Sequence, residues 1–167
     1  CKEVLEVLLE RKVGDIKYIE QQKTIDLYYD YKGIRLDVYV EDETSMYNLE
    51  MQASKVKFLN ERARFYQGAM DVNSIPKGVP YGSLKESFII FICKFDNFGH
   101  GYPLYKFENI CLLHSRYPTH EIIPLNDKII KIYLNSKAYE TEHNPDIKAF
   151  LQYEETNIVT DNPLVKK

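Results

Sequence analysis

Over residues 2–12, Val4, Leu5, Leu8 and Leu9 recur at helical spacing, and Glu3, Glu6 and Glu10 occupy the opposite side. The pattern predicts an amphipathic helix closed by Gly14 and Asp15. The period then changes to two. Residues 16–29 are rich in β-formers, and their later part alternates Thr24, Asp26 and Tyr28 with Ile25, Leu27 and Tyr29. A turn at 30–33 leads to a second strand over 34–41, with Leu36, Val38 and Val40 on one face. A charged loop at 42–45 leads to a third over 46–52, with Tyr47, Leu49 and Met51 together. Helical spacing returns over 57–73, where Leu59, Ala63, Tyr66 and Met70 form a stripe and Lys57, Glu61, Arg64 and Asp71 lie away from it. After a loop at 74–82, the run SFIIFICKF over 87–95 predicts a strand covered on both faces. Further strands are predicted over 105–113 and 128–134, and a last helix over 145–153 with Asn144 as its cap. The order of helix, three-strand meander, helix, buried strand and mixed pieces indicates an α/β chain with a mixed α+β sheet.

Register turns this outline into a chemical expectation. If residues 42–45 close a hairpin, Asp37 stands across from Glu50 with Cβ atoms roughly 4.5–5.5 Å apart. The same reasoning at 30–33 sets Asp26 across from Asp37. Three carboxylates then line one sheet face, with Gln52 and Arg35 further along. Leu36, Val38, Val40, Leu49 and Met51 make the core face. Like charges opposed across strands destabilise a sheet. Such a cluster persists if the face is solvated, if an acid is protonated, or if a cation sits between the acids. Hard divalent ions take carboxylate oxygens and water. On the pattern alone, a metal site and a plain solvated face both stand.

Composition narrows the classes. A length of 167 residues predicts a single domain over 1–167, and the start at Cys1 rather than Met predicts a fragment lacking terminal segments. The formal charge of -3 and pI of about 5.9 exclude nucleic-acid binding by diffuse positive charge, so any such contact must be local. Cys1, Cys93 and Cys111 are widely spaced and give neither a disulfide framework nor a zinc knuckle, which points to a reducing, cytoplasmic setting. His100, His114, His120 and His143 lack zinc-site spacing. No run of 18 apolar residues and no signal peptide is visible, so no membrane partner is expected.

Asp37, twelve intervening residues and Glu50-x-Gln52 precede a helix bearing Glu61-Arg62-Ala63-Arg64-Phe65-Tyr66-Gln67. This arrangement resembles the PD-(D/E)XK nuclease superfamily, and more narrowly the bacterial recombination-promoting nuclease and transposase family. EQQKTID (20–26), GIRLDVYVEDETSMYNLEMQ (33–52), RARFYQG (62–68) and SFIIFICKFDNFGHG (87–101) carry the likeness. It continues through FENICL and KIYLNSKAY to about residue 155. The resemblance implies a restriction-endonuclease-like αβββαβ core with extra C-terminal strands and a helix. It implies a DNA endonuclease associated with recombination or transposition. It further implies that Asp37, Glu50 and the backbone carbonyl of Met51 hold Mg²⁺, with Mn²⁺ as a substitute. Glu6 matches an acid that assists the metal in related folds.

Two positions depart from the superfamily pattern. Leu36 replaces the motif proline. Gln52 replaces the motif lysine, which removes an ammonium beside the phosphate but leaves a group able to orient water. Lys23 is a candidate stand-in and Asp26 a candidate accessory acid. Arg62 shares a helical row with Phe58, Phe65 and Ala69, so it is expected half-buried and aimed at the site or a DNA phosphate. Arg64, in a row with Lys57, Glu61 and Gly68, is expected to be a solvated charge or a weaker phosphate contact. The run Glu41-Asp42-Glu43 reads as a solvated loop. DNA is the expected partner, and homodimerisation stays open. The rival reading is a nuclease-like fold without catalysis that binds DNA or protein. A carboxylate-pair hydrolase acting on sugars would need an open cleft between acids in different environments, which opposed strand residues do not supply.

Overall fold

The computed structural model describes residues 2–25, 33–112, 116–117 and 121–166. Its centre is β4 (Glu86–Cys93), in which every residue after Glu86 is buried. β3 (Ser45–Gln52) and β8 (Ile129–Asn135) flank it in parallel. β2 (Ile34–Glu41) and β1 (Tyr18–Ile25) extend one side antiparallel, and β5 (Leu104–Phe107) closes the other, giving the order β1-β2-β3-β4-β8-β5.

Alternation in SFIIFIC divides the core in two. Phe88, Ile90 and Ile92 pack with Leu5 and Leu8 of α1 (Lys2–Leu9) and with Ile147 and Leu151 of α3 (Pro145–Thr156). Ile89, Phe91 and Cys93 pack with Leu59, Ala63 and Met70 of α2 (Leu59–Ser74). A strand buried on both faces needs apolar residues at every position, and this one has them. The mixed sheet between helical layers is the architecture expected from the sequence. Asn144 caps α3 as predicted, its Oδ1 accepting from the N–H groups of Asp146 and Ile147. The strand predicted over 105–113 is interrupted instead. Its second part, β6 (Ile110–Cys111), leaves the main sheet to pair with β7 (Ile123–Pro124).

β2 and β3 pair Val38 with Leu49 and Val40 with Tyr47, the predicted register. β1 and β2 do not follow prediction. Ile25 pairs with Ile34, Lys23 with Leu36 and Gln21 with Val38, which leaves Gln22 rather than Asp26 across from Asp37. Asp26 itself lies outside the described residues. The expected core face is also corrected. Ile34, Leu36 and Tyr39 face α2, whereas Val38, Val40 and Leu49 face the α1 and α3 layer, and Met51 is half exposed. Alternation therefore breaks between Leu36 and Val38, where Asp37 sits opposite Gln22. Gln22 has a left-handed φ of 57°, an irregularity at the same point of the β1–β2 ladder, whose register is unchanged on either side of it.

The loop between β2 and β3 is not the solvated acidic turn that its composition suggests. Asp42 is buried, and its Oδ1 accepts from the N–H groups of Thr44 at 2.8 Å and Ser45 at 2.7 Å. Its Oδ2 accepts from the Gly14 N–H and the Tyr47 hydroxyl, each at 3.1 Å. A Cβ on Gly14 would meet the Asp42 side chain at 3.2 Å, so the close approach favours glycine. Burial alone would raise the Asp42 carboxyl. The four donors outweigh it and hold the group below its usual range. A depressed carboxyl contributes stability that is complete above its unfolded value of about 3.9 and is lost as pH falls through the folded one. Acid unfolding of wild type should therefore steepen below about pH 4. Asp42→Ala, which orphans three backbone N–H groups, should cost roughly 3 kcal/mol at neutral pH in urea unfolding and show a shallower acid limb.

Candidate functional site

Asp37 and Glu50 meet at the end of the β2–β3 pair that faces α2. The Glu50 Oε1 accepts from the Asp37 backbone N–H at 3.0 Å and from the Asn48 side-chain amide at 3.0 Å. The Asp37 Oδ2 accepts from the Met51 N–H at 3.1 Å. Each carboxylate is thus fixed through one oxygen. Among the described residues no hydrogen bond occupies Asp37 Oδ1 or Glu50 Oε2. Asp37 is exposed and Glu50 is buried. Burial first, then the charge of Asp37, push the Glu50 carboxyl up. The two hydrogen bonds and the Arg62 charge offset only part of this. Asn48, which sequence reasoning missed, is fully buried and lies two residues before Glu50, hence on the same strand face. That spacing was its available signal.

The second layer comes from α2. Arg62 donates to the Gln52 Oε1 at 2.6 Å, and the Gln52 Nε2 donates to the Ser54 carbonyl at 3.0 Å. The guanidinium lies 5.1 Å from the Phe91 ring centroid and 5.8 Å from that of Tyr66, within cation–π range. Its Nε is buried without a hydrogen-bond partner. Burial raises the Tyr66 hydroxyl, and the negative charges of Glu50 and Asp37 add to the shift. The five side chains of Asp37, Glu50, Gln52, Arg62 and Tyr66 therefore form one electrostatic unit.

The structure does not bring every predicted residue there. Glu6 is on α1, which packs against the sheet face opposite α2, and its carboxylate accepts from the Val13 N–H at 3.1 Å. No group of three or more acidic, histidine or cysteine side chains able to hold a metal forms among the described residues. Lys23 places its ammonium 3.8 Å from the Tyr39 ring centroid and within electrostatic reach of Glu41. Arg64 is exposed, as expected, and lines a groove with Arg35, Lys57, Arg62 and Phe65. The start of α2 holds a conformation that residue type does not announce: Phe58 caps it at φ 62° and ψ 33° with no side-chain cap bond. A left-handed residue with a bulky side chain is strained by about 1–2 kcal/mol.

A family model described as PD-(D/E)XK nuclease family transposase matches residues 2–154. The chain belongs to that family. The sheet, its flanking helices and the αβββαβ order are those of a restriction-endonuclease-like fold, and membership supports a nuclease role associated with transposition, for which DNA is the substrate class. No curated protein and no solved structure gives a significant match. Among the described residues, no helix is long and apolar enough to cross a membrane.

The donor set fits the divalent ion on which nucleases of this family generally depend. Two carboxylates on adjacent strands each keep one oxygen open, and one is held in a buried position where its charge lacks full compensation. Hard cations suit such oxygens. Without a cation, Glu50 is a liability. A carboxyl raised on folding opposes stability as pH rises from its ordinary value through the folded one. Metal-free Glu50→Gln should accordingly melt a few degrees higher than wild type at pH 7, with the difference vanishing near pH 4. Differential scanning fluorimetry in EDTA checks this, and equal melting at both pH values would contradict the assigned electrostatics.

Proposed function

We propose that the chain is a Mg²⁺-dependent DNA endonuclease domain that hydrolyses phosphodiester bonds during recombination or transposition. The observation that carries this reading is the opposed Asp37–Glu50 pair, with one open oxygen on each acid, inside a chain of the PD-(D/E)XK family. Asp37, Glu50 and the Met51 carbonyl would hold Mg²⁺, with Mn²⁺ as a substitute. Such an ion, when bound, lowers the pKa of its water and neutralises charge on the phosphate.

The chain's own residues do the rest. Asp37 and Glu50 act as carboxylates, and the Asn48 and Met51 bonds hold one oxygen of each in place. Gln52, tied to Arg62 and Ser54, keeps one N–H for the attacking water or the phosphate. Arg62 replaces the positive charge that the motif lysine would give, since its guanidinium contacts Gln52 and acts electrostatically on Glu50.

Purified protein should nick supercoiled plasmid with Mg²⁺ and stop with EDTA, and Asp37→Ala should lose at least about a hundredfold in rate. An equally active Asp37→Ala protein would sink the assignment. Arg62 has its own signature. Arg62→Lys should retain most activity and Arg62→Ala should drop about 10- to 100-fold, with the larger loss in kcat, because the charge matters most in the transition state.

A second reading rests on Gln52, whose amide is engaged at both ends and carries no charge. It makes the domain a non-catalytic DNA- or protein-binding module. Titration calorimetry decides between the two: absence of Mg²⁺ or Mn²⁺ binding at millimolar concentration would favour the inert module.

A further inference from the structure

Beside the carboxylate pair lies a groove of about 580 Å³ between the start of β2 and the first turns of α2. Among the described residues its lining includes Arg35, Lys57, Arg62 and Arg64, with Glu61 as the single carboxylate. This is a local reversal of the chain's net charge of -3. The ion pairs among the described residues all lie elsewhere. Arg62 belongs to both the groove and the Gln52–Glu50 unit, so the two are continuous.

Two aromatic rings stand in this cationic surface. Phe58 is 71% exposed and Phe65 is 41% exposed. They are seven residues apart, about two helical turns or roughly 10 Å, on the side of α2 that carries Arg62. Phe58 is unfavourable twice over: its ring is in water, and its left-handed backbone would suit glycine better. Strain of this kind persists at functional positions.

Aromatic faces next to phosphate-binding cations recognise bases whose own faces are free. In a duplex those faces are stacked, and a protein meets only base edges and backbone. We propose that the groove binds an unpaired DNA strand leading into the Asp37–Glu50 site, with Phe58 and Phe65 stacking on bases and Arg35, Lys57 and Arg64 on the phosphates. The identity of the polymer rests on the nuclease reading above; the preference for an unpaired strand rests on the groove. The domain would then act where DNA is already open, at a frayed end, flap or loop.

Fluorescence anisotropy with a labelled oligothymidine of about twelve nucleotides, and with a duplex of equal length, tests this in EDTA so that no cleavage is needed. Wild type should bind the strand at least about tenfold more tightly than the duplex. Phe58→Gly and Phe65→Ala should each weaken strand binding roughly 5- to 100-fold while changing duplex binding less than about threefold. Phe58→Gly should also melt higher than wild type by about 2–4 °C, so its loss of binding cannot come from unfolding. Lys57→Ala and Arg64→Ala should each reduce the salt slope of strand binding by about 0.7. Equal affinity for strand and duplex, or unchanged strand binding in the Phe58→Gly, Phe65→Ala double variant, would overturn the proposal. Strand preference without Mg²⁺-dependent nicking would refute the endonuclease reading alone, and nicking without strand preference would refute this one alone.

Discussion

The β2–β3 hairpin sets Asp37 across from Glu50 in one register only, because a slip of one residue would turn a strand's side chains to the other face. Two things hold that register. Asp42 gathers Gly14, Thr44, Ser45 and Tyr47 around one buried carboxylate and shapes the connection. Lys85 adds bonds to Glu41 at 2.5 Å and to the Asp42 carbonyl at 2.6 Å. Beyond the hairpin, β3 lies in parallel against β4, whose two covered faces anchor α1 and α3 on one side and α2 on the other. The turn therefore fixes the acids, and the packing of β4 brings α2 to them.

Within that frame the site is left electrostatically incomplete. Glu50 has two hydrogen-bond donors and one nearby guanidinium, yet burial and the Asp37 charge still raise it. Residues chosen for folding alone would put an amide or an apolar group at position 50, the last of six consecutive buried positions in β3. A buried carboxylate kept beside a second one is the arrangement that an added cation would complete. Stability and the proposed chemistry pull in opposite directions at this residue, as they do at Phe58.

Much of the fold was legible because its signals are periodic. SFIIFIC lacks a polar face and is the central strand; the helical spacing over 57–73 announces α2, which begins two residues later, at Leu59. The Asp37–Glu50 opposition followed from loop length and alternation. The failures share a cause. At β1–β2, Gln22 takes a left-handed conformation and alternation flips beside Asp37, which no residue-type preference announces. Glu6 shares its chemistry with metal-binding acids, but its carboxylate is drawn to the Val13 N–H on the far side of the sheet. Asp42 looked like one charge in an acidic loop, since sequence does not reveal how many backbone donors will converge on a carboxylate. Arg62 was legible as half-buried, whereas its bond to Gln52 needed the strand and helix to be packed together.

That Arg62–Gln52 bond also bears on how an acidic chain could handle a polyanion. Diffuse attraction is weak at a net charge of -3, so encounter cannot rely on the whole surface. The cations instead converge at one end of α2, where Arg62 contacts both the residue in the motif-lysine position and the groove. Arg62, rooted in α2 near the rings of Phe91 and Tyr66, brings its positive charge to bear on Glu50 and also lines the groove. Through its bond to Gln52, Arg62 thus joins the surroundings of the carboxylate pair to the groove beside it.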